Sequence, residues 1–211
     1  MFTELEQKQH FQSFAFRSTV SDLPAGETVH VTYSIENAHE TSYPAAWQDS
    51  PTCYTSTIHD TDSWKRLTST QYSEGKLKWD HHHKLNGSVY FTYFPLYSYD
   101  QHLALVSKCA DFALVKSLGQ TLDGREMDCT VSGTGRRVAW IIHRQHPGES
   151  MAEYFAEGLL TRLLGLDCNG QVDGLVRRQL QDYTFYIVPN MCPDGSVRGH
   201  LRTNAAGANL N

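Results

Sequence analysis

Two apolar runs, RVAWII at 137–142 and YTFYIVP at 183–189, constrain the fold of this chain more than any other feature. Each is short and rich in β-branched and aromatic residues, so each reads as a strand. Between them, SMAEYFAEGLLTRLLG (150–165) places apolar residues at 151, 154, 155, 159, 160, 163 and 164, the stripe of an amphipathic helix. Ser150 and Glu153 have the S-x-x-E spacing of a capping box at its start. GLVRRQLQ (174–181) reads as a second, short helix. Strand, helix, strand is a crossover unit, which predicts parallel pairing of the two strands. Continuous apolar runs of this kind are expected of strands covered on both faces.

Upstream, the texture is that of antiparallel sheet with one wet face. ETVHVTYSI (27–35) alternates, and GSVYFTYF (87–94) is a second strong strand preceded by the turn-like KLNG. A small antiparallel β-sandwich over residues 1–97 is expected, followed by an α/β domain over 98–211. The three histidines of WDHHHKLNG (79–87) read as a solvated turn; in extended chain, neighbours point to opposite faces and converge poorly on a metal. From Ser98 a helix is expected, with Leu103, Leu105, Val106, Cys109, Ala110, Phe112, Ala113 and Leu114 on its apolar face and Gly119 as its stop. QTLDGREMDCTVSGTGRR then reads as a hairpin with turns at Asp123-Gly124 and Gly133-Thr134-Gly135.

Composition excludes several classes. A formal net charge of −5 disfavours a broad nucleic-acid or anionic-membrane surface, both of which need basic patches. No run approaches the ~18 apolar residues of a membrane span. The start, MFTELEQKQHFQ, is polar and acidic where a signal peptide is basic and then apolar, so a cytoplasmic location is expected. The 5 cysteines are scattered without a CxxC pair and read as reduced thiols in or near the core. Neither G-x-S-x-G nor a phosphate-binding G-x-x-x-x-G-K-[ST] occurs, which disfavours a serine hydrolase or a P-loop enzyme.

Ligands of open α/β sheets bind outside the carboxyl ends of the strands. HRQHPGE stands at that end of the first apolar strand, and NMCPDGSVRGHLR at that end of the second. His146 and Glu149, with Pro147 and Gly148 turning the chain between them, can aim at one point. Imidazole and carboxylate are donors that zinc favours. H-x-x-E alone is a weak signal: Glu149 also suits the positive end of a helix, and His146 an ordinary loop hydrogen bond. His143 ends the strand period 139, 141, 143 and is expected to point into packing.

RQHPGES followed by a helix, then FYIVPNMCPDGSVRGHLRTNAAGANLN, resembles the zinc carboxypeptidases, and within them the cytosolic carboxypeptidase branch with its bacterial members. VYFTYFPLYSYDQHLALV resembles the segment that joins that branch's N-terminal β-domain to its catalytic domain, so the likeness covers roughly 79–211. The resemblance implies a hydrolase with one zinc ion that removes the C-terminal residue of a peptide or protein. It implies that His146 and Glu149 are zinc ligands, that Arg202 stabilises the oxyanion, and that Asn211 grips the substrate's terminal carboxylate. Cys192 and Asn209 depart from the residues usual in the family. The third zinc ligand and the general base lie far downstream in the family and have no counterpart here. The chain is therefore expected to be the inactive front part of a longer enzyme. The rival reading is a non-catalytic interaction module whose aromatics Tyr43, Trp47, Tyr54, Trp64 and Tyr72 line a partner surface; such residues are more often core.

Overall fold

Seven strands build the first part of the chain: β1 (Ala15–Val20), β2 (Val29–Ile35), β3 (Cys53–Thr55), β4 (Lys65–Arg66), β5 (Gln71–Ser73), β6 (Lys76–His83) and β7 (Gly87–Thr92). They form two antiparallel sheets, of order β1-β7-β3-β4 and β2-β6-β5. This is a computed structural model; it describes residues 10–58, 60–84 and 86–211. The first nine residues of the polar start, and Leu85 of the KLNG turn, lie outside the described residues. The chain divides into two units, Met1–Leu96 and Tyr97–Asn211.

In the first unit Phe14, Trp47, Leu77, Trp79, Phe91 and Tyr93 pack together as the core. Burying each such side chain stabilises by about 1.5–3 kcal/mol. Phe14 stacks on Trp79 with ring centroids 5.6 Å apart. The indole Nε1 of Trp47 donates to Thr41 Oγ1 at 2.9 Å, so its polar edge is satisfied inside the core. Tyr54 and Tyr72 pack against the same cluster, and Tyr43 is exposed. Residues 79–83 are not a turn but the second half of β6, paired with β2 from Trp79↔Tyr33 to His83↔Val29. His82 faces away from its neighbours and stacks on His30 at 4.6 Å, while His81 and His83 share the other face.

The second unit runs α1 (Tyr99–Ala110), β8 (Leu114–Gln120), β9 (Glu126–Ser132), β10 (Arg137–Ile142), α2 (Met151–Leu164), α3 (Gly174–Asp182), β11 (Tyr183–Val188) and α4 (Pro193–Arg198). Its sheet has the order β10-β11-β9-β8, with β10 and β11 parallel and the other pairings antiparallel. The mixed α/β class and the parallel crossover are as expected from the sequence.

Four further local readings are corrected in the second unit. The helix after Ser98 stops at Ala110 rather than Gly119, and residues 114–120 are strand β8. Ser98 and Gln101 make the reciprocal cap that starts it. Its buried face is His102, Leu105 and Cys109, while β-sheet pairing of Leu114 with Val131 and Val115 with Thr130 overrides helical periodicity beyond Asp111. Gly119, with φ of 133°, sits where the β8–β9 register shifts. Asp123-Gly124 does turn the hairpin, closed by Thr121 N–H to Arg125 O at 2.8 Å, but Gly133–Gly135 does not, because β11 lies between β9 and β10.

The third correction concerns β10. It is an edge strand among the described residues, and Val138 and Trp140 are 60% and 56% exposed. Helices α1, α2 and α3 cover one face, where Leu105, Leu160, Leu163, Val176 and Ile187 form the core with Ile141 and Phe185 against them. The fourth correction concerns the start of α2: Ser150 has helical backbone angles and no cap bond, and Glu153 is buried instead of reaching back to it.

Candidate active site

Both strand-end loops start from the parallel pair β10–β11. His143 extends β10 by one residue, its N–H donating to Val188 O at 3.0 Å and its carbonyl accepting from Met191 N–H at 2.9 Å. The side chain is buried, with Nδ1 3.2 Å from Val188 O and the ring 5.6 Å from that of Phe155. Burial holds the His143 imidazole below its ordinary pKa, so it is a neutral packing residue. Arg144 then takes a left-handed conformation, φ 49°, and reverses the chain. A tight turn follows, closed by Glu149 N–H to His146 O at 3.1 Å.

The second loop begins with Asn190, whose Oδ1 accepts from Cys192 N–H at 2.9 Å. Pro193 opens α4, and Gly199, φ 74°, ends it. Asp194 ties this loop to the β8–β9 hairpin, accepting from Thr121 Oγ1 at 2.8 Å, Asp123 N at 3.0 Å and Arg125 Nη1 at 2.9 Å. Burial raises the Asp194 pKa, but these donors outweigh it and hold the carboxyl below its usual range. The two loops meet where Gly148 N–H donates to Leu201 O at 2.9 Å. A Cβ on Gly148 would come within 2.9 Å of that oxygen, so only glycine permits this approach. Asn204 folds the last segment back: its Oδ1 accepts from Ala206 and Ala208 N–H, each at 3.0 Å. Gln145 Nε2 also donates to Leu210 O.

The result brings four sequence-chosen residues together. Nδ1 of His146 lies 3.1 Å from Oε1 of Glu149. Nη2 of Arg202 lies 2.9 Å from Nε2 of His146, and its Nη1 lies 3.9 Å from Oε1 of Glu149. Oδ1 of Asn211 accepts from Arg202 Nη2 at 3.1 Å and lies 2.8 Å from Nε2 of His146. Glu149 is half exposed, so the cluster opens to solvent. Two donors on one tetrahedral zinc, each bonded at about 2.0–2.2 Å, stand roughly 3.3 Å apart. The 3.1 Å between His146 and Glu149 fits that spacing. Among the described residues no set of three His, Cys, Asp or Glu converges on a metal position. His200 is buried, with Nδ1 3.2 Å from Thr203 O, and is not part of the cluster.

Sequence reasoning missed the layer beneath. Glu153 is fully buried and takes contacts from three elements: His102 Nδ1 at 2.7 Å, Arg144 Nη1 at 2.6 Å and Asn190 Nδ2 at 3.0 Å. His102 Nε2 stands 3.2 Å from Asp128. Burial opposes a charged His102, but the bonds and charges of Asp128 and Glu153 prevail and push its pKa up to about 9. Two carboxylates are thus matched by an arginine and an imidazolium. The only sequence cue was an acidic residue within an otherwise apolar helix stripe, which a cap explained too easily.

Residues 99–211 match the family described as zinc carboxypeptidase, and residues 2–94 match the cytosolic carboxypeptidase N-terminal domain. The chain is 43% identical over 208 residues to an uncharacterized protein of Zymomonas mobilis, covering 97% of this chain and 50% of that one. It is similar to the crystal structure of a metallo-carboxypeptidase from Burkholderia cenocepacia, with TM-score 0.83 and 40% identity over 95% of this chain and 52% of that one. It is also similar to a metallo-carboxypeptidase from Pseudomonas aeruginosa in complex with (2-guanidinoethylmercapto)succinic acid, with TM-score 0.82, 32% identity and coverage of 97% and 52%. The chain spans about half the length of these relatives. No helix among the described residues is long and apolar enough to cross a membrane.

Proposed function

The chain belongs to the zinc carboxypeptidase family, and on that premise we propose that His146, Glu149, Arg202 and Asn211 serve a zinc-dependent site that removes the C-terminal residue of a peptide or protein. The observation that carries this is the convergence of the two donors at 3.1 Å with the Arg202 guanidinium against them. His146 and Glu149 would hold one zinc ion, their separation and donor types fitting it. When bound, zinc supplies Lewis acidity toward a carbonyl oxygen and a more acidic water. Arg202 donates to the negative charge that develops on the substrate carbonyl oxygen as water adds. The amide of Asn211 orients the substrate by its terminal carboxylate, so the substrate must have a free C-terminus. No third ligand or general base is assigned among the described residues. A cytoplasmic location is part of this reading, from the description of the family that the N-terminal region matches.

The test uses the full-length protein: zinc per chain is measured, and C-terminal residues released from a peptide set are identified. One zinc and chelator-sensitive release are expected. A metal-free protein that releases residues at an undiminished rate would overturn the proposal.

A further inference from the structure

We propose that Glu153 is a positioning residue for the two metal ligands, holding their turn through Arg144 and tying it to the second strand-end loop through Asn190. This rests on the reading of His146 and Glu149 as ligands. Glu153 touches neither, and its carboxylate is fully buried in the first turn of α2. One oxygen, Oε1, faces His102 Nδ1 at 2.7 Å; the other, Oε2, accepts from Arg144 Nη1 at 2.6 Å and from Asn190 Nδ2 at 3.0 Å. One side chain therefore registers α1, the loop after β10 and the loop after β11.

The connection to the ligands is direct. Arg144 is 6% exposed, and besides Glu153 it bonds main chain: its Nε donates to Pro147 O and its Nη1 to Tyr97 O, both at 2.9 Å. Pro147 lies inside the turn, between His146 and Glu149. The guanidinium thus closes a ring from its own backbone, strained at φ 49°, onto the carbonyl that shapes that turn. Without Glu153 the cation would be buried and uncompensated, and would leave for water, releasing Pro147. On the other side Asn190 also accepts from Cys192 N–H at 2.9 Å and approaches Ser196 Oγ at 3.2 Å, which stiffens the loop that carries Arg202. Apolar packing in place of the whole buried ionic cluster would fill the site at least as stably. What it would not do is fix both loops against each other.

The experiment compares Arg144→Lys, Glu153→Gln and His146→Ala in the full-length protein. Zinc affinity is read by chelator competition, beside the melting temperature of the metal-free form and steady-state kinetics. Arg144→Lys keeps a cation for Glu153 but loses the planar fork that also reaches Pro147. It should bind zinc about 10-fold more weakly, with kcat reduced, KM nearly unchanged and the metal-free melting temperature little altered. Glu153→Gln should show an equal or larger loss wherever it folds. Wild-type zinc affinity in Arg144→Lys overturns the proposal, whether or not Glu153→Gln folds. If His146→Ala also keeps its zinc, the ligand assignment itself has failed; if it loses zinc while Arg144→Lys does not, only the positioning role has failed.

Discussion

Nη2 of Arg202 lies 2.9 Å from Nε2 of His146. An arginine only donates, so this contact favours the tautomer in which Nε2 accepts and the ring proton is on Nδ1, beside Glu149. Oδ1 of Asn211, 2.8 Å from the same Nε2, favours the opposite tautomer, in which Nε2–H donates and Nδ1 is free for a metal. Glu149 is then the adjacent donor at 3.1 Å.

His143 is only three residues away but is turned into the core against Phe155 and Val188. In the full-length protein His146→Ala should therefore abolish stoichiometric zinc, while His143→Ala should retain it and lose stability, by about 1–3 kcal/mol for a buried polar side chain. Metal analysis of the two purified variants decides; greater zinc loss from His143→Ala would refute the assignment.

His102 gives a pH dependence with a definite sign. Its pKa is raised to about 9 in the folded protein, against about 6.5 for an ordinary histidine. Its protonation therefore stabilises the fold fully below about pH 6.5, and that stabilisation is lost as pH rises through about 9, a difference on the order of 3 kcal/mol. The melting temperature should fall between pH 7 and 9.5, and His102→Asn should flatten that slope. An identical slope in the variant would show that other groups carry it.

Gly148 tests the closeness of the two loops. An added methyl would stand 2.9 Å from Leu201 O and 3.0 Å from its Cα, both main-chain atoms that cannot swing aside. Gly148→Ala should cost about 1–3 kcal/mol and part the loops. Since Arg202 follows Leu201, kcat should fall with stability. A fully active and equally stable Gly148→Ala protein would contradict the geometry.

Residues 1–211 expressed alone provide a fourth test. With no third ligand converging on the pair among the described residues, it should bind zinc weakly and turn over no substrate. The exposed face of β10, with Val138 and Trp140, should promote self-association. Efficient release of C-terminal residues by this purified chain would place the missing ligand and base within it.

What was legible in the chain follows from where local signals and tertiary forces agree. The β10–α2–β11 crossover is readable because its strand and helix periods are unambiguous and a parallel pair needs the intervening helix. The HPGE turn is readable because four adjacent residues carry both the geometry and the chemistry. Residues 114–120 misled because Leu114 extends a helical stripe by spacing alone, whereas the partner that makes them strand, β9, comes later in the chain. Glu153 misled for the same reason: its partners His102 and Asn190 are 51 and 37 residues away, and nothing local announces them. A local rule, the capping box, filled the gap and was wrong.

Arg202 separates catalysis from structure most sharply. Its guanidinium lies within 2.9 Å of His146 and 3.9 Å of Glu149, close enough to reach a carbonyl oxygen activated beside them. If it acts on the transition state, Arg202→Ala should lower kcat by ~10²–10³ and leave KM nearly unchanged, since the charge it meets exists only as water adds. Lysine should recover part of the loss, because it restores the charge but not the planar fork that meets His146 and Asn211 together. If instead Arg202 only braces Glu149, the part-exposed 3.9 Å pair is worth little, at most about 1 kcal/mol. The alanine variant would then bind zinc more weakly yet recover full kcat at saturating metal. Measuring kcat at saturating zinc, with zinc affinity read separately, therefore decides between a donor to the substrate and a brace for a ligand.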